Sequence, residues 1–67
     1  MKEHLHQFVD QMIEHNFTLE ETVDLVEKVY IEKMLLRHGH NISASARHMQ
    51  MHRNTLSRKI QSLGIRE

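Results

Sequence analysis

The chain has no cysteine, proline or tryptophan, and it has only two glycines among its 67 residues. Without cysteine, neither a disulfide framework nor a thiolate metal site is available to stabilise it. No apolar run approaches the roughly 18 residues that a membrane helix needs, and the N-terminus shows no signal-peptide pattern. We therefore expect one cytoplasmic domain over residues 1–67. A lone core of this size is marginal, so oligomerisation is the remaining source of stability.

Charge is divided unevenly along the chain, although the formal net charge is zero. Residues 1–36 hold three lysines and eight acids, a net charge of −5. Residues 37–67 hold six basic residues and one acid, a net charge of +5. Such a split between halves indicates two functions. The basic half suits a polyanionic partner, and the acidic half is expected to stay away from it.

The spacing of apolar residues predicts an all-α fold of four helices, because no segment alternates as a strand does. The first helix is predicted over about 2–15, with one apolar stripe. The second is predicted over about 19–38. Thr18 and Glu21 have the spacing of a capping box at its start, and Gly39 is expected to end it.

The second predicted helix is apolar over a sector of about 180°, with Ile31 and Leu35 outside that sector. One helix of the same chain cannot cover so wide a surface. We therefore expect residues 1–39 to form a homodimer interface, while Ile31 and Leu35 pack on the segment that follows. The residues expected at the interface are Leu5, Phe8, Val9, Met12, Ile13, Val23, Val26 and Tyr30.

The last two predicted helices, about 42–49 and 53–63, are joined by the three-residue turn "QMH". Ala46 is small where two crossing helices come closest. The second of these helices has one apolar side and one side of cations and hydrogen-bonding groups. These features describe a helix-turn-helix over residues 40–64, whose second helix fits a DNA major groove. The apolar residues expected between the two helices are Met49, Met51, Leu56 and Ile60.

The segment "NISASARHMQMHRNTLSRKIQSLGI" resembles the Fis-type helix-turn-helix family, which includes the nucleoid protein Fis and the C-terminal domains of NtrC-class transcriptional activators. The residues that carry the resemblance are Asn41, Ser43, Ala46, Arg47, Met51, Arg53, Thr55, Leu56, Arg58, Lys59, Leu63 and Gly64. It implies a bacterial, nucleoid-associated regulator of transcription, with an intertwined dimer core. The implied partners are double-stranded DNA, which members of the family bend, a second copy of the chain, and other regulatory domains or RNA polymerase.

Mapped onto this sequence, the resemblance places DNA contacts in both helices of the motif. From the chemistry of the side chains, Arg53, Arg58 and Lys59 suit phosphate or guanine, with Lys59 better suited to phosphate. Asn54 and Thr55 suit base edges or a phosphate. The full set of expected DNA-binding residues is Asn41, Ser43, His52, Arg53, Asn54, Thr55, Ser57, Arg58 and Lys59.

Two positions depart from the family's pattern. Gln50 stands where the turn usually begins with glycine, and a positive φ there would cost roughly 1 kcal/mol. Ser45 stands where a second alanine is common, so we expect a looser helix crossing. The chain also lacks the GxxxxGK[ST] phosphate loop, which excludes the ATPase activity of NtrC-class activators from this segment.

Seven histidines raise the question of a metal site. Residues two apart on a helix, such as His4 and His6, do not face each other, so we expect no metal site. Because the sequence also shows no recognisable catalytic constellation and no glycine-rich phosphate loop, we expect no cofactor and no enzymatic activity. Because several histidines lie in the basic half, a second hypothesis is that DNA affinity rises as pH falls. These basic-half histidines are His38, His40, His48 and His52.

Two alternatives remain open from the sequence. The chain could be a protein-interaction or oligomerisation module that docks on an acidic partner through its basic half. It could also be the C-terminal piece of a larger NtrC-class regulator.

Overall fold

The computed structural model describes residues 1–66, which form four α-helices and no strand. The helices are α1 (Lys2–Glu14), α2 (Leu19–Arg37), α3 (Ile42–His48) and α4 (Arg53–Ser62). The predicted all-α class and helix order are confirmed. Each helix ends one residue before its predicted end, because the next residue serves as the C-cap. None of the helices in residues 1–66 is both long and apolar enough to cross a membrane.

Three of the helices begin with a side chain that caps the backbone. The predicted capping box of α2 is present, since the Glu21 N–H donates to Thr18 Oγ1 at 3.0 Å and the Thr18 N–H donates to Glu21 Oε1 at 2.9 Å. In α3, the Ala44 N–H donates to Asn41 Oδ1 at 2.9 Å. His52 caps α4 in the same way, with its Nδ1 accepting from the Asn54 N–H at 3.1 Å.

All four helices end in the same left-handed backbone motif. The residue after each C-cap has a positive φ: Asn16, Gly39, Gln50 and Gly64. The N–H of the following residue then donates to the carbonyl five residues earlier, as in the bonds from Met51 to Ala46 O (3.0 Å) and from Ile65 to Ile60 O (3.0 Å). This is a Schellman motif, and it satisfies carbonyls that a helix end leaves free. In the helix-turn-helix, the motif that ends α3 runs directly into the N-cap of α4, which leaves a turn of only three residues.

The core lies between the second half of α2 and the helix-turn-helix. Leu35 and Leu56 are almost fully buried, with 1% and 0% of their surfaces exposed. Ile65 folds back onto the same cluster from beyond α4. The prediction that Ile31 and Leu35 pack on the following segment is confirmed. The other buried members are Ala46 and Ile60, with Ile42, Met49, Met51 and Leu63 partly buried at the edge.

Ser45 lies where α3 contacts the second half of α2, and its hydroxyl is paired there. It is completely buried, and its Oγ donates to the Asn41 backbone oxygen at 2.8 Å. The Met34 oxygen lies 3.5 Å from the same hydroxyl. The hydroxyl is therefore satisfied where an alanine would also fit, so the expected penalty for Ser45 is offset by this hydrogen bond.

The N-terminal helix leaves much apolar surface exposed. No residue of α1 is buried, and only Phe8 and Met12 are half-buried. A groove of about 390 Å³ runs between α1 and α2, lined by Phe8, Val26 and Tyr30 among others. The exposed apolar residues of α1 and α2 that were predicted at a dimer interface are Leu5, Val9, Ile13, Val23, Val26 and Tyr30, with 40–66% of their surfaces exposed.

Candidate nucleic-acid interface

Helix α4 is held with one face inward and the opposite face open. Leu56 and Ile60 are buried, so they fix the inner face. At roughly 100° per residue, Asn54 and Arg58 fall on the opposite side of the helix, and Ser57 falls on one flank. Asn54 and Arg58 are exposed, and Ser57 is half-buried. The fold therefore gives α4 an outward-facing row of hydrogen-bonding and cationic groups, with Ser57 beside it.

The first turn of α4 carries two further predicted residues. Arg53 is exposed at the first helical position, directly after the cap. His52 is exposed as well, but its Nδ1 is engaged in capping, which leaves only Nε2 for an external partner. Thr55 is half-buried. Arg58 points back along the helix, and its Nε donates to the Asn54 backbone oxygen at 3.4 Å.

The predicted residues of α3 lie at the beginning of that helix and not on α4. The Asn41 side-chain oxygen is used as the N-cap, so its NH₂ group is the part available to an external acceptor. Ser43 is exposed one residue into the helix. Both residues belong to the first turn of α3, where backbone N–H groups point outward and favour an anion.

Lys59 is placed differently from the other cations of α4. Its Nζ lies 2.6 Å from Glu27 Oε2 of α2, and the two side chains are 39% and 36% exposed. It is the one ion pair that residues 1–66 show. No local pattern predicts this contact, because Glu27 and Lys59 are 32 residues apart in the chain.

Sequence reasoning also missed two features of this surface. Gln61 is exposed one turn after Ser57 and lies within the same outward row of α4, and its amide suits a base edge or a phosphate. His38 and His48 form a pair, with Nε2 of His38 3.0 Å from Nδ1 of His48. The helical period of 3.6 residues was the signal that would have found Gln61. The histidine pair joins two helices and has no such local signal.

The arginine and lysine side chains of the helix-turn-helix have no acidic neighbours within their own segment, so its formal charge is positive throughout. Residues 37–66 contain six arginine and lysine residues and no aspartate or glutamate. The only carboxylate paired with this segment in the described chain is Glu27, which comes from α2. Within residues 1–66, no three histidine, aspartate or glutamate side chains come together as a metal site would require. The arrangement is suited to contact with a polyanion along α4 and the start of α3.

Comparisons with known proteins gave a match at the level of the family and no match to an individual protein. Neither the curated proteins nor the solved structures gave a match to this chain. A family model does match, over residues 22–63, and it describes a bacterial regulatory protein of the Fis family. The match begins in α2, includes both helices of the helix-turn-helix and covers more than half of the chain. The chain therefore belongs to the Fis family of bacterial regulatory proteins, a family of DNA-binding helix-turn-helix regulators.

Proposed function

We propose that this protein binds double-stranded DNA as a homodimer, prefers particular sequences, and regulates transcription. The observation that carries the proposal is the outward row of α4. Asn54 and Arg58 lie opposite the buried Leu56 and Ile60, with Ser57 on the adjacent flank, within a segment that contains six cations and no acid. A helix held in this way can enter a major groove without exposing its apolar side.

Each of the predicted DNA-binding residues discussed here has a role that follows from its chemistry. Arg58 contacts a phosphate, since it is exposed and carries a positive charge. Arg53 is exposed at the start of the helix, and its guanidinium suits a bidentate contact with guanine. Asn54 and Ser57 supply hydrogen bonds to base edges, and Thr55 supports the first turn. Asn41 and Ser43, at the start of α3, bind the sugar–phosphate backbone of the DNA.

The apolar surface of the N-terminal half supports the homodimer. Val23, Val26 and Tyr30 lie on one side of α2 and are 46%, 50% and 53% exposed in the single chain. This side lies between the face that packs on the helix-turn-helix and the face next to α1. A second copy would cover it, together with Leu5, Phe8, Val9, Met12 and Ile13 of α1, and would supply the core that 67 residues lack. In this arrangement residues 1–39 form the dimer core and residues 40–64 bind DNA.

A two-fold dimer presents two copies of α4, and the expected site is therefore pseudo-palindromic. Half-sites one helical turn apart would accept both copies on straight DNA. If the two helices lie closer than one turn, the DNA must bend at a cost of order 1–6 kcal/mol. Bending, residence on the bacterial nucleoid, and contact with RNA polymerase or other regulatory domains belong to this proposal.

Selection from a random double-stranded DNA pool, followed by footprinting of the selected sites, tests the proposal. We expect recovered sites with two related half-sites, protection of both, and affinity that falls steeply with salt. The matched control is the Arg53→Ala/Arg58→Ala double variant, which keeps the core and should recover no site. Absence of any DNA binding by the parent protein at low salt would refute the proposal. Binding to an acidic protein in its place would favour an interaction module.

The same measurement on the intact gene product addresses the other alternative. If the chain is the C-terminal part of an NtrC-class regulator, the longer protein should protect the same half-sites as the chain alone. Different footprints would show that residues outside this segment choose the site.

A further inference from the structure

The ion pair between Glu27 and Lys59 joins the two halves of the molecule. Glu27 lies in the middle of α2, and Lys59 lies in the second half of α4. Their charged atoms are 2.6 Å apart. Each residue is next to the core, since Ile31 lies one turn after Glu27 and Ile60 follows Lys59 directly. The pair therefore lies at the edge of the core and links α2 to α4.

The position of Lys59 around α4 separates it from the outward row. Lys59 lies roughly 100° around the helix axis from Arg58, on the flank that faces α2. It also lines a groove of about 240 Å³ together with Glu27, Tyr30 and Met51. The ammonium group bonded to Glu27 on this flank is directed toward α2 and away from the open side of α4.

The charge of Glu27 is unusual for its location. The acidic half is expected to stay away from DNA, yet this carboxylate reaches the basic half and neutralises one of its six cations. An ion pair this exposed adds little to the stability of the fold. Its geometry is therefore more informative than its energy, because it links α2, which belongs to the proposed dimer core, directly to α4.

We propose that the Glu27–Lys59 pair is a positioning contact that sets the orientation of α4 relative to the dimer core, and that Lys59 makes no phosphate contact. In a two-fold dimer, the angle between α2 and α4 sets the separation of the two DNA-binding helices. The pair would therefore restrict the spacing of half-sites that the dimer accepts. This inference rests on the proposed function and departs from the sequence-based expectation that Lys59 contacts phosphate.

A charge-reversal series tests the inference on the full chain. The variants are Lys59→Met, Glu27→Gln, Lys59→Glu, and the exchanged pair Lys59→Glu/Glu27→Lys, with Glu14→Gln of α1 as the matched loss of one acid. DNA duplexes carry two selected half-sites at centre-to-centre spacings from about eight to about fourteen base pairs, a range that brackets one helical turn of roughly 10–10.5 base pairs. The measurements are affinity at each spacing and the dependence of affinity on salt.

The two roles of Lys59 give opposite results in this series. If the pair positions α4, Lys59→Met and Glu27→Gln both broaden the range of half-site spacings that the dimer binds, and neither changes the slope of affinity against salt. The control Glu14→Gln keeps the narrow range of spacings. The exchanged pair then restores the narrow preference. If Lys59 contacts a phosphate, Lys59→Met lowers the slope by about 0.9, Glu27→Gln does not, and the exchanged pair stays defective. That second pattern would overturn the inference.

A distance measurement separates failure of the inference from failure of the proposed function. Because the chain has no cysteine, Glu32→Cys on α2 and Gln61→Cys on α4 can carry two spin labels without further changes. Labelled chains diluted in excess unlabelled protein report the distance within one chain. A broader or shifted distribution in Glu27→Gln, restored by the exchanged pair, supports the positioning contact even if no DNA binds. An unchanged distribution refutes it.

Discussion

His38 and His48 face each other where α2 and α3 end, with Nε2 of His38 3.0 Å from Nδ1 of His48 and ring centres 5.2 Å apart. One nitrogen must donate and the other must accept, so at least one ring is neutral at this contact. The rings are nearly perpendicular, at 76°. This pair ties the first helix of the helix-turn-helix to the helix that precedes it, and it is a second link beside Glu27 and Lys59.

A double-mutant cycle on this pair should show coupling. His38→Ala and His48→Ala should each lower the free energy of unfolding by about 0.5–1 kcal/mol, because each leaves the other ring without its partner. The double variant should cost less than the sum of the two single changes. Urea unfolding at one protein concentration measures this, with His4→Ala on α1 as the control. Additive losses would show that the contact contributes nothing.

Loss of Arg58 should weaken DNA binding at every sequence. Arg58→Ala removes one exposed cation from the outward row, so the slope of log affinity against log salt should fall by about 0.9. Loss of Arg53 should instead relax the preference at one base pair, by about 1–3 kcal/mol, if its contact is with guanine. Fluorescence titrations at several salt concentrations measure both. Lys2→Ala on α1 is the control, and an unchanged slope in Arg58→Ala would remove that residue from the phosphate contacts.

A charge on the exposed side of α2 should separate the dimer. Val26 is 50% exposed in the single chain and lies on the side proposed to meet the second copy. Val26→Asp would bury a carboxylate without a partner, at a cost above about 3 kcal/mol, which is more than a hundredfold in the dissociation constant. Sedimentation equilibrium measures the change. Gln7→Asp, on the polar side of α1, should leave the dimer intact. A parent protein that sediments as a monomer would contradict the dimer itself.

Glycine at position 50 should stabilise the fold. Gln50 has a φ of 56°, a conformation that glycine adopts without strain and glutamine does not. Gln50→Gly should raise the free energy of unfolding by up to about 1 kcal/mol, less the entropy that glycine adds to the unfolded chain. The free energy of unfolding of Gln50→Asn should lie between those of the parent protein and Gln50→Gly. Gln61→Gly, inside α4, should instead lower it by about 1 kcal/mol. A loss of stability in Gln50→Gly would contradict the strain argument.

Three substitutions of Asn41 should separate helix capping from DNA binding. Asn41→Ala removes the acceptor for the Ala44 N–H and should cost about 0.5–2 kcal/mol of stability. Asn41→Asp keeps the cap but places a negative charge near the DNA, so stability should hold while affinity falls. Asn41→Ser should keep most of both. Thermal unfolding and DNA titration check the series. Full DNA affinity in Asn41→Asp would show that Asn41 does not lie close to the DNA phosphates.

Much of the local structure followed from a few residues at helix ends. Thr18 and Glu21 marked the start of α2, and Gly39 marked its end. These signals succeed because a helix terminus is satisfied by groups within a few residues of it. The cap of α4 by His52 was not anticipated, since histidine is an infrequent N-cap and its ring nitrogen serves in place of a hydroxyl or carboxylate oxygen.

Contacts between distant residues were beyond the reach of such signals. The outward row of α4 was largely predicted, because one helix's own period decides which residues oppose Leu56 and Ile60. Lys59 was grouped with Arg58 by charge, and only the crossing of α2 and α4 placed it beside Glu27. Ser45 was expected to loosen a helix crossing, and only the fold shows that its hydroxyl is buried beside the Met34 backbone oxygen of α2.

By itself, the sequence determined four helices, their order, the division of charge and the side of α4 that stays open. Each of these depends on residues no more than a few positions apart, whose geometry the helix fixes in advance. Only the tertiary structure decided which cation of α4 turns toward α2 and which histidines meet. Those outcomes depend on where separate helices cross, and the periodicity within one helix does not determine that crossing.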